Sequence, residues 1–202
     1  MRTDRDLHAL MACLCVLFED LRIELAGQIP ATLGTLDECS SAGRKFYFLR
    51  RSIATLHEFS IVIQELDELP SFQPIKVGFD PLAQTHWNRA AAYFKKHHSY
   101  IARMRNNVGG HFGKAAGKVA VANLLPDAAG SLDVVFTDKG GGAKLNFAHE
   151  IVATGALRHV PGSTIAARCR NLFRHAVVGY RKATWAVDSI TASYLWERFG
   201  RG

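Results

Sequence analysis

Leu7, Leu10, Leu14, Leu17 and Leu21 recur at spacings of three and four, the pattern of a helix that buries one face. A longer run, Phe46, Leu49, Ile53, Leu56, Phe59, Ile63 and Leu66, keeps the same period. Between them Gly27 to Gly34, with Pro30 inside, breaks the first helix from the second. The stretch "LPSFQPIKVG" after Glu68 ends the second. Asp80 followed by Pro81 is a cap and first-turn pair. It opens a third helix in which Trp87, Phe94 and Ile101 repeat at seven. The pattern falters at Gly109 and Gly110, resumes from about Phe112 to Leu124, and stops at Pro126. In "SLDVVFTDKGGGAKLNF" the apolar positions alternate, Leu132, Val134, Phe136 and then Leu145, Phe147, around a glycine-rich turn, which predicts a β-hairpin over about 132–147. Ser163 then caps a long helix carried by Ile165, Cys169, Leu172, Ala176, Tyr180, Ala183, Val187, Ile190 and Tyr194.

No internal repeat and no low-complexity linker interrupts this series, so residues 1–202 read as one mostly α domain, a helical bundle with an inserted β-hairpin. Composition agrees: 48% of the 202 residues are hydrophobic and 21% charged, enough apolar material for a real core. The longest apolar run, from Leu7, meets Glu19 too early to cross a bilayer, and it lacks a basic start and a small-residue cleavage site. The chain therefore reads as cytoplasmic and unprocessed, with no membrane association. Cys13, Cys15, Cys39 and Cys169 form no C-x-x-C pair. On a helix, Cys13 and Cys15 diverge by about 200°, so buried free thiols are expected rather than a zinc site or a disulfide framework.

Charge changes the picture, because it is unevenly spread. Residues 1–70 carry seven Lys or Arg against eleven Asp or Glu, and the remainder eighteen against seven. Between Asp80 and Asp127 there is no acidic residue at all, whereas Arg89, Lys95, Lys96, Arg103, Arg105, Lys114 and Lys118 fall there with four histidines. Arg89, Lys96 and Arg103 repeat at seven, two residues out of step with the apolar stripe and so about opposite it. The third helix packs with one side and offers cations with the other. Such a face suits a polyanion, and Arg89, Lys96, Arg103, Lys114 and Lys118 are the candidate RNA-binding residues. The alternative is a merely solvated cationic face.

The stretch "RMRNNVGGHFG", residues 103–113, concentrates the candidate chemistry. In an unbroken helix, residues six apart lie about 9 Å apart along the axis and about 120° around it, so Arg105 and His111 would not converge. Gly109-Gly110 can supply the necessary bend. A guanidinium then offers a planar fork to a phosphate, and an imidazole can accept and donate a proton near neutral pH.

"RNNVGGHF" resembles the R-x4-6-H signature of the HEPN superfamily, in which a polar residue, often Asn, follows the Arg and an aromatic follows the His. The resemblance implies a small helical bundle and a metal-independent endoribonuclease, frequently a toxin or phage-defence component that needs no cofactor. It implies that Arg105 holds the scissile phosphate, that Asn106 orients it or the histidine, and that His111 is the acid or base. It also implies a homodimer whose two motifs meet at the interface and, for toxins, an antitoxin protein as partner. The other function class is a non-catalytic helical bundle that binds RNA, nucleotide or a protein partner through its basic face.

The R-x4-6-H spacing occurs twice more, once at the same interval and once a residue shorter. Arg51 to His57 lies in an unbroken amphipathic helix with Ser52 after the arginine and is read as a decoy. Arg170, Asn171 and His175 in "RNLFRH" form a reserve site, although Arg170 and His175 point about 140° apart on a helix. His97 and His98 diverge by about 100° with no carboxylate nearby, which favours a surface pair over a metal site. "TDKGGGAK" lacks the G-K-[ST] ending of a phosphate loop and is read as a turn. No Ser-His-Asp order or nucleophile elbow is present.

Overall fold

The computed structural model describes residues 2–28, 38–106, 117–118, 121–122, 132–137, 140–145, 155 and 157–195. Helix α1 spans Arg2–Ala26 and α2 spans Glu38–Glu68. A 3-10 turn at Pro70–Phe72 leads into the short helix α3, Gln73–Val77. Helix α4 runs Pro81–Met104. Strand β1, Leu132–Thr137, pairs antiparallel with β2, Gly140–Leu145, in the register Leu132 opposite Leu145 to Thr137 opposite Gly140. Helix α5, Ile165–Ile190, continues as a π-helical turn at Thr191–Leu195. The fold is mostly helical and bundle-like, with α1 packed on α2, α2 on α4 and α4 on α5.

Each helix buries the stripe that its period marks. Leu14 and Leu21 of α1, Leu56, Phe59, Ile63 and Leu66 of α2, Trp87 and Phe94 of α4, and Leu172, Ala176, Ala183 and Ile190 of α5 share one buried cluster. Burying a side chain of the size of Phe or Leu contributes about 1.5–3 kcal/mol, so this stripe carries most of the packing energy. Phe59 of α2 meets Phe94 of α4 with ring centroids 5.2 Å apart, and Phe18 of α1 stacks on Tyr180 of α5 at 5.6 Å. At Gly179 of α5, a Cβ would lie 2.8 Å from Leu56, so the missing side chain is what lets α2 and α5 approach.

Polar contacts fix the ends of α4 and α5. Asp80 caps α4 by accepting from the backbone N–H groups of Leu82 and Ala83, with Pro81 at the first helical position. Trp87, fully buried, donates its indole N–H to Asp67 Oδ1 at 2.7 Å. The same oxygen accepts from Lys76 Nζ at 2.7 Å. Ser189 Oγ lies 2.9 Å from Ala83 O, which ties α5 to the start of α4.

Six details depart from the sequence expectations, the first being that the glycine-rich tract read as a turn is mostly strand, Gly140 to Lys144 pairing with β1 as part of β2. The cap of α5 is Thr164, whose side chain accepts from Ala167 N–H, and not Ser163. Either hydroxyl can cap, but the extended backbone that precedes the first turn falls on Thr164. Ile165, in that first turn, is exposed because α5 reaches the core only further along. The stretch after Glu68 is a break made of helical turns rather than irregular chain, each with a Pro in its first turn, where the missing N–H costs nothing. Cys13 is exposed and Cys15 and Cys169 are half-buried, all three with free thiols. Cys13 sits one position before Leu14 and therefore beside the buried stripe instead of in it. His97 and His98 are half-buried, not a surface pair. The expected helix from Phe112 to Leu124, for the most part, and its stop at Pro126 lie outside the described residues, as do Lys114 and His111. No described helix is long and apolar enough to cross a membrane.

Candidate functional site

Arg105 sits where α4 ends, and its position follows from what precedes it. Ile101 and Met104 are buried, so the intervening Arg103 and the following Arg105 are turned outward. The backbone N–H of Arg105 still bonds to the carbonyls of Ile101 and Ala102, and the helix passes into π-type backbone at 105–106. The Arg105 backbone is thus held by the helix while its side chain is exposed. Its Nη1 donates to Asn106 Oδ1 at 3.3 Å, and its Nη2 lies 4.0 Å from Glu58 Oε1 on α2.

Glu58 and its neighbour His57 were not among the residues that the sequence singled out for this site, and the fold brings them to it. Leu56, Phe59 and Ser60 face the core, which leaves His57 and Glu58 on the edge of α2 beside α4. His57 Nδ1 is 3.5 Å from Glu58 Oε1, the oxygen that Arg105 also approaches. The His57 ring lies 5.8 Å from that of His98 on α4. His98 Nδ1 is in turn 3.2 Å from both Ser60 Oγ and Gln64 Nε2. Ser60 and Gln64, polar positions within the buried face of α2, were the one sequence signal that a polar partner packs there.

The cationic residues of α4 are placed as its period requires. Arg89, Lys96 and Arg103 are all exposed, opposite Trp87, Phe94 and Ile101, and Lys118 is exposed as well. Arg103 lies 5.8 Å above the Tyr100 ring. Helix α5 adds to this face. Burial, then Arg181 and Arg89, hold the Lys182 ammonium below its ordinary pKa, and its Nζ lies 3.6 Å above the Trp185 ring. Burial, then His97 and Arg174, lower His175, while burial, then Arg158 and Arg103, lower His159. Burial is the first cause in all three, and basic residues of α4 and of each group's own segment add to it. Burial also pushes the Tyr93 hydroxyl up to about 12, with Tyr100 second, so it stays protonated here.

The reserve residues do not form one site. His175 packs on Tyr100 of α4 with ring centroids 4.8 Å apart. Asn171 donates to Pro161 O at 2.7 Å and, with Arg168 bonded to Gly162 O at 3.0 Å, pins the approach to α5. Gly162 there has φ of 149°, which side-chain-bearing residues avoid. Arg170 instead lines an apolar cavity of about 380 Å³ with Lys45, Phe46, Leu49, Cys169 and Phe173. Arg51, of the other repeated spacing, pairs at 3.4 Å with the buried Glu24. Among the described residues no three His, Cys, Asp or Glu side chains are grouped to hold a metal ion. Comparison of the chain with protein-family models, curated proteins and solved structures found no match.

Proposed function

We propose that this chain is a HEPN-like, metal-independent endoribonuclease of the toxin or phage-defence kind, working as a homodimer in the cytoplasm, with an antitoxin protein as a partner. The observation that carries the reading is the exposed Arg105–Asn106 pair, held at the end of a helix whose solvent face is a row of cations. RNA brings its own nucleophile, the ribose 2′-hydroxyl. The protein must supply only a proton acceptor, a proton donor and positive charge for the phosphate as its negative charge builds. Arg105 offers the fork and Asn106 a second donor. His111, by its place in the motif, is the acid or base, and a second protomer's motif completes the cleft across a two-fold axis.

Incubation of the purified protein with single-stranded RNA in the presence and absence of EDTA tests this. Cleavage is expected to survive EDTA, to leave 2′,3′-cyclic phosphate ends, and to spare sites that lack the 2′-hydroxyl. Loss of an acid or base typically lowers the rate about 100- to 10,000-fold, the effect expected of His111→Ala. Arg105→Lys should also fail, because a point charge does not replace the fork, and Asn106→Ala should lose less. Cleavage that needs added metal, or His111→Ala cutting like the parent, overturns the assignment.

The exposed row of Arg89, Lys96 and Arg103 along α4 favours a second reading, non-catalytic binding of RNA through that face. Both readings give salt-sensitive RNA affinity, so only the His111-dependent cut separates them.

A further inference from the structure

We propose that the space between Arg105 of α4 and His57 of α2 is a binding site for an RNA phosphodiester, in which the Glu58 carboxylate of the free protein occupies the place a phosphate oxygen takes in the complex. The identity of the anion rests on the nucleic-acid reading above; the site itself rests on geometry. A single anionic oxygen, Glu58 Oε1, stands 4.0 Å from the Arg105 guanidinium and 3.5 Å from the His57 imidazole. The two groups come from different helices, forty-eight positions apart in the chain, and that oxygen is the point within reach of both. An external oxyanion placed there meets the same two groups.

The exposures explain why the exchange is easy in one direction. The Glu58 and Arg105 side chains are 50% and 45% exposed, whereas that of His57 is only 16% exposed. Glu58 can therefore swing into solvent, while His57 is backed by His98, itself fixed by Ser60 and Gln64. An exposed ion pair at this distance contributes little, so withdrawing the carboxylate costs little. A phosphodiester presents two non-bridging oxygens where the Glu58 contact uses one. One of them can take the guanidinium fork, as charge-assisted bonds to phosphate favour. The other can take the His57 N–H. Asn106, whose amide oxygen already faces Arg105, is left with its amide hydrogens for the same ligand.

In the free protein Glu58 is a competitor as well as a placeholder. Removing its charge should tighten binding, which distinguishes the site from a cationic surface where each substitution only weakens. The measurement is fluorescence anisotropy with a labelled 2′-O-methyl oligonucleotide, which cannot be cut, at one fixed salt concentration. Glu19→Gln is the control, because it removes an equal charge from an exposed position on α1. Glu58→Gln is expected to tighten binding about fivefold and Glu19→Gln less than twofold; Arg105→Ala and His57→Phe, which leaves no donor, should weaken it about tenfold, as the loss of a hydrogen bond to a charged group implies. Circular dichroism checks that His57→Phe is folded, and Glu58→Gln decides the matter at an exposed position if it is not. Equal effects of Glu58→Gln and Glu19→Gln overturn the site, as does unchanged binding by folded His57→Phe. Binding in the expected pattern without cleavage of ordinary RNA overturns the ribonuclease reading and leaves the site standing. Cleavage that depends on His111, with binding indifferent to Glu58 and His57, does the reverse.

Discussion

Two carboxylates of α2 reach side chains of the α4 region, and they are used in opposite ways. Asp67 Oδ1 accepts at 2.7 Å from the buried Trp87 indole and at 2.7 Å from Lys76. Among the described residues, Glu58 Oε1 has only looser neighbours, His57 at 3.5 Å and Arg105 at 4.0 Å. The step of nine positions from Glu58 to Asp67 leaves the two side chains about half a turn out of phase, so one lies in the seam between the helices and the other reaches in from its edge. The Asp67 end is further sealed by the Asp80 cap, by Ser189 on Ala83 O, and by the stack of His86 on Trp185 at 5.0 Å. Short bonds to a buried donor belong to the folded state and have no reason to exchange. Long contacts at an exposed edge leave both partners with donors and acceptors to spare, which is the condition for receiving a ligand. One end of α4 is built to stay closed and the other to open.

The largest expected effect tests the closed end. Asp67→Ala strips the acceptor from the Trp87 N–H inside the core and from Lys76. An unsatisfied buried donor costs about 1–3 kcal/mol, and the bond lost here is charge-assisted. Destabilisation of about 2–3 kcal/mol in urea unfolding is therefore expected. A loss below about 0.5 kcal/mol, the range of ordinary surface substitutions, would remove the basis for calling this end sealed.

The contrast also shows what could be seen in the sequence. The buried stripes of α1, α2, α4 and α5 were legible because hydrophobic burial imposes one period on every helix, and Trp87, Phe94 and Ile101 follow it turn after turn. Asp80 was legible for a related reason, since a cap and its helix are neighbours in the chain. The meeting of His57, Glu58 and Arg105 was not, because it depends on how α2 is set against α4 across forty-seven residues. The spacing of His57 to Arg51 lies within α2 alone and carries no information about α4. His97 and His98 do diverge as helix geometry requires, but both directions lead to neighbours. His98 turns toward Ser60 and Gln64 on α2, whereas His97 lies 4.6 Å from Tyr93 and close enough to His175 to lower it. Arg105 and Asn106 are exposed side by side where α4 ends, whereas Arg170 and His175 are separated by packing that a local pattern does not encode.

A third carboxylate extends the comparison to the α1–α2 seam. Glu24 is buried and accepts from Thr55 Oγ1 at 3.0 Å, and its Oε2 has no hydrogen-bond partner among the described residues. Burial, opposed by Thr55 and Arg51, raises its carboxyl above the ordinary pKa. The folded state therefore holds this proton more tightly than the unfolded one. Its contribution to stability is fully present below the unfolded pKa and is lost as pH rises through the folded pKa. Glu24→Gln keeps an oxygen for Thr55 and does not ionise. The variant should gain on the parent as pH is raised from 4 to 7 in denaturant titrations, and a constant difference between the two proteins would show that the carboxyl is not strained by burial.

The cap of α5 sets a smaller effect against an adjacent control. Thr164 Oγ1 accepts from Ala167 N–H at 3.1 Å, and the neighbouring Ser163 hydroxyl does not cap the helix. Thr164→Ala should cost about 1 kcal/mol in thermal unfolding, and Ser163→Ala a small fraction of that. The reverse order would move the helix boundary by one residue.

The smallest expected effect belongs to the open end. Glu58 is half-exposed and its partners are distant, so the pair with Arg105 has the properties of surface ion pairs, which contribute about 0–1 kcal/mol. Glu58→Ala removes no buried donor's partner and makes no cavity, since the side chain lies outside the core cluster. Stability within about 0.5 kcal/mol of the parent is expected in the urea titration that registers the loss in Asp67→Ala. Raising the salt concentration should erase what difference there is, because an exposed pair is screened within a Debye length of about 8–10 Å. A cost comparable to that of Asp67→Ala would mean that Glu58 holds α2 against α4, and a carboxylate with that task could not give up its place to a phosphate. Near-neutral stability together with altered oligonucleotide affinity would separate the two ends of α4 by function as well as by geometry.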